Sequence, residues 1–208
     1  RFPISKFKKI KPNVAIKHPN WKMGKKISID SATMINKIFE IIEAQRIFDI
    51  DIKKFKVLIH PSSYVHAIVK FHNGTSKFLV HDTDMKIPIF NSIYLDNFKK
   101  IKTKKLNIKK LINLNFIEPN NSRFPSIDLL KNLSNNISLY ETVLVSANDE
   151  LVSLFLNNRI KFQDIVKNLK IILRSKLFLK YKRKKPKNYK ELIKLSNFVR
   201  LKTRALCI

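Results

Sequence analysis

Only two glycines, Gly24 and Gly74, occur in 208 residues. That scarcity constrains the fold more than any other feature. A dinucleotide-binding G-x-G-x-x-G turn and a phosphate-cradling Walker loop both need several glycines at fixed spacing, so neither lies within these residues. The backbone has almost no places for left-handed turns, and its elements must be joined by Asn, Asp, Ser and Pro. Hydrophobic residues make up 44% of the chain, enough to build a core and to exclude global disorder. The single cysteine, Cys207, excludes an internal disulfide framework and a cysteine-rich zinc site, and fits a reducing compartment.

The formal net charge is +28. Alone, this points to a polyanionic partner such as nucleic acid. The lysines, however, are spread evenly among isoleucine, asparagine and phenylalanine, the mixture that AT-rich codons produce. Basic pairs such as Lys53-Lys54, Lys99-Lys100 and Lys104-Lys105, and the run Lys182–Lys185, carry no recognised nucleic-acid motif and read as solvated faces. Nucleic acid is therefore not the expected partner. A basic nucleic-acid-binding or drifted non-catalytic protein is the rival reading. No apolar run approaches the ~18–20 residues of a membrane span, and no membrane association is expected.

Along the chain, residues 1–17 are basic and broken by Pro3 and Pro12. A helical period runs from Asp30 to Phe48, with Asp30 or Ser31 as its expected cap. Lys56–His60 reads as a buried strand. Tyr64–Phe71 and Lys77–Val80 flank Asn73-Gly74 and read as a hairpin. Residues 81–95 read as loop plus short helix, and Lys99–Lys110 as a strand or exposed linker. Helical periods follow at about 126–137, 140–158, 162–180 and 187–205. The expected class is α+β: a domain with a mixed or antiparallel sheet and helices over 1–93, a linker over 94–122, and an all-helical bundle over 123–208.

On a helix at 100° per residue, Asn36, Glu40 and Glu43 fall within about 60° of one another, while Ile35, Ile38, Phe39, Ile41 and Ile42 fill most of the rest. Two readings stand side by side. The stripe is the solvated edge of a buried helix, or it lines a cleft where a carboxylate could hold a hard divalent cation. Ser31 at the helix start would suit a phosphate, with Lys37 adding a cation; a plain cap is the simpler account. Trp21 and Met23 beside Gly24 form either a flap over a flat ligand or a surface loop anchored by one aromatic. His60, His66 and His72 lie six apart, with no metal-type histidine pair, and structural roles are expected of them.

The stretch HPNWKMGKKISIDSATMINKIFEIIEA, from His18, resembles the signature of the 1-deoxy-D-xylulose 5-phosphate reductoisomerase family. LIHPSSYVHAIVKFHNGT, HDTDMKIPI, RFPSIDLL and VSANDELVSLFLNNRIKFQDI resemble its later segments in order. The match is specific over 18–89, good over 123–165 and weak after about 170. The resemblance implies an enzyme that rearranges 1-deoxy-D-xylulose 5-phosphate and reduces it with NADPH to 2-C-methyl-D-erythritol 4-phosphate, with Mg²⁺ or Mn²⁺ as Lewis acid. It implies Glu40 as a metal-ligating carboxylate and Glu43 as its acidic neighbour. Ser31, Asn36, Lys37 and His18 become substrate contacts, largely around the phosphate. Trp21 and Met23 match a flap over substrate and nicotinamide, Gly24 a backbone contact with NADPH, and His66 and Met85 residues lining the site. A homodimer through the sheet and a location in the bacterial cytoplasm, or alternatively a plastid-type organelle, follow from the same resemblance.

Two departures stand out. Ile38 occupies a position where the family has glycine, and the Trp-Pro after the family's D-M-x-x-P-I segment is absent. The family's NADPH-binding domain and its Asp-x-Glu metal segment precede the matched stretch, so these 208 residues by themselves are expected to be inactive. Should the helix edge bearing Asn36, Glu40 and Glu43 point outward, far from the Trp21 indole, the whole assignment collapses to accidental similarity.

Overall fold

A computed structural model describes residues 3–17, 21, 23–94, 99–105, 107, 109–112 and 114–207. Its regular elements are α1 (Pro12–Ala15), α2 (Lys25–Ala32), α3 (Ile35–Phe48), β1 (Val65–Lys70), β2 (Ser76–Val80), α4 (Lys86–Ile93), α5 (Lys109–Ile112), α6 (Tyr140–Leu156), α7 (Phe162–Arg174), α8 (Lys176–Leu179) and α9 (Tyr189–Cys207), with short 3-10 turns between them. The class is α+β, as the sequence implies. Among the described residues, no helix is long and apolar enough to cross a membrane.

The chain forms two compact units. The first joins residues 1–18, 23–56 and 120–208, and the second joins 19–22 and 57–119. These limits differ from the boundaries at 93 and 123 that composition implies, because the apolar faces of α2 and α3 pack with the C-terminal helices. In the first unit α6 is central: Val143, Leu144, Ala147, Leu151, Val152 and Phe155 are all buried. The helix is apolar on most of its circumference, so it can be covered on several sides. Its neighbour α7 is two-faced. Phe162, Ile165, Val166, Leu169, Ile172 and Leu173 are buried at helical spacing, and Asp164 in its first turn accepts from the Lys161 N–H at 3.0 Å. The narrower stripe of α9 is Leu195, Val199 and Thr203, four residues apart.

The expected single helix over 30–48 is two helices. Thr33 ends α2 by folding its hydroxyl back onto the carbonyls of Ile29 (3.0 Å) and Asp30 (3.1 Å), and Met34 is left-handed at φ 62°. Side-chain hydroxyls that compete for helix carbonyls favour such breaks. Asp30 and Ser31 thus lie in the last turn of α2 and cap nothing. Ile35, Ile38, Ile41 and Gln45 form the buried face of α3. Arg46 anchors its end, donating to the Asn135 carbonyl at 2.7 Å and pairing with Glu141 at 2.6 Å.

In the second unit β1 and β2 pair antiparallel as a hairpin, with Gly74 at φ +85° in the turn. That angle is why a glycine stands there. The expected strand Lys56–His60 is absent. Only Ile59 bridges, to Ile117, with N···O distances of 2.8 and 3.0 Å, since Leu58 is 40% exposed and has no sheet to join.

Tyr140 opens α6 fully covered, its hydroxyl donating to the Leu173 carbonyl at 2.9 Å. Burial pushes its phenol from 10.0 up to about 12. The unfolded chain gives up this proton near the lower value and the folded chain near the higher. Stability therefore falls as pH rises between them. Tyr140→Phe is expected to cost about 1–2 kcal/mol at neutral pH, by stranding the carbonyl, and to flatten that alkaline fall. Chemical denaturation at neutral pH and again inside the window checks both.

Candidate functional site

The polar edge of α3 emerges opposite its buried isoleucines. Glu40 is the centre of the constellation. Its Oε1 accepts from Asn36 Nδ2 at 2.5 Å and its Oε2 from Lys37 Nζ at 2.6 Å. The three residues are brought together by their i, i+3 and i, i+4 spacing alone. The Lys37 and Glu40 side chains are 41% and 46% exposed, so their pairing is worth about 0–1 kcal/mol and either partner is released cheaply. Glu43, one turn on, is exposed.

Along this edge Glu40 and Glu43 are exposed, while Asn36 and Lys37 are half-buried. Ile35, Ile38, Ile41 and Gln45 take the buried face of α3. Ser31 is half-buried but lies at the C-terminal end of α2, so the argument from a helix start fails. The helix end whose free N–H groups favour an anion is that of α3, at Ile35. Ile38 does not crowd the edge. It is wholly buried in the core, about 200° around the helix from Glu40.

Asp30, next to Ser31, is 1% exposed. Its carboxylate pairs with Lys26 at 2.8 Å and accepts from Asn148 Nδ2 at 2.8 Å. Burial raises its pKa, and the Lys26 and Asn148 contacts oppose that rise. Lys26 also reaches Asp149 at 3.0 Å, and Arg200 pairs with Asp149 at 2.6 Å. This network joins α2 to α6 and α9. Sequence reasoning missed it, because an aspartate at an apparent helix start reads as a cap.

Gly24 precedes α2 in an extended conformation, at φ −62°. A Cβ built there would meet nothing within 4 Å. Gly24 is the N-cap of α2, a position that favours a small residue, and the space around it is open. Met23 is half-buried. His18 lies outside the described residues.

In the second unit, the Trp21 and His66 rings meet edge to face, with centroids 5.8 Å apart at 74°. Met85 is 51% exposed just before α4. His60 bonds the Asn115 carbonyl at 3.1 Å and Ser62 at 2.6 Å, a structural role, while His72 is exposed.

Among the described residues no three His, Cys, Asp or Glu side chains converge on one point. Glu40, with Glu43 beside it, offers carboxylate oxygens of the kind hard cations take, but not a complete shell.

The family model "DXP reductoisomerase C-terminal domain" matches residues 81–202, and "1-deoxy-D-xylulose 5-phosphate reductoisomerase C-terminal domain" matches residues 1–48. The chain is 56% identical to the 1-deoxy-D-xylulose 5-phosphate reductoisomerase of Pelagibacter ubique, over 99% of this chain and 53% of that protein. With the Aquifex aeolicus enzyme the identity is 44%, over 73% and 40%. It superposes on DOX-P reductoisomerase in complex with NADPH, fosmidomycin and magnesium with a TM-score of 0.87 and 30% identity, over 98% of this chain and 51% of that one. The Zymomonas mobilis enzyme in complex with NADPH gives a TM-score of 0.82 at 30% identity, over 98% and 51%. The chain spans about half the length of these relatives. From the two family models and the 56% identity over 99% of its length, the chain belongs to the 1-deoxy-D-xylulose 5-phosphate reductoisomerase family.

Proposed function

We propose that this chain supplies substrate, metal and nicotinamide contacts to an enzyme that rearranges 1-deoxy-D-xylulose 5-phosphate and reduces it with NADPH to 2-C-methyl-D-erythritol 4-phosphate. The observation that carries the reading is the Asn36–Lys37–Glu40 constellation, which stands inside the stretch that a family model matches, residues 1–48.

Glu40 would hold a divalent ion, Mg²⁺ or Mn²⁺, with Glu43 one turn away. The fit is partial, for the reason given above. When bound, such an ion supplies Lewis-acid polarisation of the substrate oxygens. Asn36 keeps its hydrogen bond to Oε1 and so orients the carboxylate. Lys37, leaving a pairing that costs little to break, becomes free for the substrate phosphate, together with Ser31 and His18. Trp21 and Met23 contact substrate and nicotinamide, Gly24 offers backbone to NADPH, and His66 and Met85 line the substrate. Each assignment rests on its place in the motif. A homodimer through the sheet agrees with the exposure of Val69, Phe71, Phe78 and Leu79 on the hairpin, since a two-stranded sheet leaves both edges unpaired. The bacterial cytoplasm is the location consistent with the relatives.

The test is substrate-dependent NADPH oxidation with Mg²⁺. The 208 residues alone are expected to show none. In the full-length coding sequence, Glu40→Gln is expected to lower turnover about 100-fold with the melting temperature unchanged, the scale lost when metal coordination is disturbed. Wild-type turnover in Glu40→Gln, or turnover by the 208 residues alone, contradicts this reading.

A further inference from the structure

The second unit contains a pair of rings that the roles above leave unexplained. Val65 pairs with Val80 and Ala67 with Leu79, so the ladder skips His66. An irregularity of this kind leaves one residue out of the pairing and re-aims its side chain. The His66 ring consequently lies flat on that of His81, just beyond β2, with centroids 3.7 Å apart and planes 16° apart. His66 Nε2 bonds the His81 carbonyl at 3.0 Å, and His81 Nδ1 bonds the Asp82 carbonyl at 2.6 Å. A carbonyl oxygen only accepts, so the proton is assigned to Nε2 of His66 and to Nδ1 of His81. One residue, His81, thus touches His66 twice, by ring face and by main chain. The Trp21 indole then packs edge to face against His66.

We propose that His81 is a positioning residue: it clamps the His66 imidazole between its own ring and its own carbonyl, and by fixing that imidazole it sets where the Trp21 indole stands. The clamp stands on these contacts alone, and its bearing on catalysis rests on the roles proposed above for His66 and Trp21. The His81 carbonyl survives any substitution at 81, so the ring is the separable half of the clamp.

Trp21 is the only tryptophan in the chain, so its fluorescence reads the clamp directly, without substrate. A ring–ring contact of this kind shifts the ratio of held to released side chain by roughly two- to tenfold. In His81→Ala, acrylamide quenching of Trp21 is expected to rise and its anisotropy to fall, as the ratio of held to released indole drops by that factor. His81→Phe, which keeps a flat ring, is expected to restore wild-type values. His81→Leu, similar in bulk but without a ring, is expected to behave as His81→Ala does, and keeps the comparison with Phe decisive if the alanine variant fails to fold. Wild-type quenching and anisotropy in His81→Ala would overturn the proposal, as would Leu and Phe behaving alike. These measurements use no turnover. A fluorescence response without NADPH oxidation in the full-length protein therefore counts against the proposed reaction and leaves the clamp standing.

Discussion

Ile38→Gly is expected to destabilise the chain by about 4 kcal/mol, a large part of the ~5–15 kcal/mol that holds a domain together. The substitution introduces the residue that the sequence resemblance implies for this position, so a view from resemblance alone expects it to be harmless. The packing says otherwise. Ile38 is fully buried on α3, within the same cluster as Ile29, Ile35 and Leu129. Deleting its side chain loses the burial and leaves a cavity, together about 3 kcal/mol. A glycine in a helix interior adds ~1 kcal/mol more. Ile38→Ala should recover that last part, being about 1 kcal/mol less damaging than Ile38→Gly. Denaturant unfolding at 25 °C decides. A loss below about 1 kcal/mol for the glycine variant would mean that the side chain is not packed as described.

Asn148→Asp is the second large effect. Asn148 is wholly buried, and among the described residues its side chain donates to the Asp30 carboxylate. The replacement has nearly the same shape but sets a second carboxyl against the first. Two acids in contact and out of water cannot both ionise, so one must stay protonated. Keeping a carboxyl protonated at pH 7 costs up to about 4 kcal/mol, and the cost shrinks as pH falls towards ~4. Asp30 itself carries the same sign. Its folded pKa lies above the ordinary 3.8, so its own contribution to stability is fully present at or below the ordinary value and is lost as pH rises through the raised one. The variant is thus expected to differ sharply from wild type in denaturation at neutral pH and little near pH 4. An equal deficit at both pH values would show that shape, not charge, is responsible.

Local features of the fold were open to inspection in the chain itself. The isoleucines at 35, 38 and 41 mark the covered face of α3, and the same arithmetic places Asn36, Glu40 and Glu43 on the opposite edge. Asn73-Gly74 marks the hairpin, and the left-handed glycine there confirms why. The motif from His18 to Glu43 carries the family. Other features were not open in this way. Thr33 and Met34 break an otherwise continuous helical period, and the chain shows no proline or glycine there. Leu58 and Ile59 are apolar enough for a strand, but a strand needs a neighbour, and only Ile117 comes to meet them.

What the order of amino acids determines unaided is short-range: turn chemistry, helical phase, and the side chains that share one edge of α3. Tertiary structure decides what each polar group faces. Asp30 is a buried partner of Asn148, 118 positions away, and His66 lies against His81 because β1 skips one pairing. The reason is physical. Periodicity is written by neighbours a few residues apart, whereas the cost of burying a charge or stacking a ring depends on atoms that arrive from elsewhere in the chain only when the helices and strands pack.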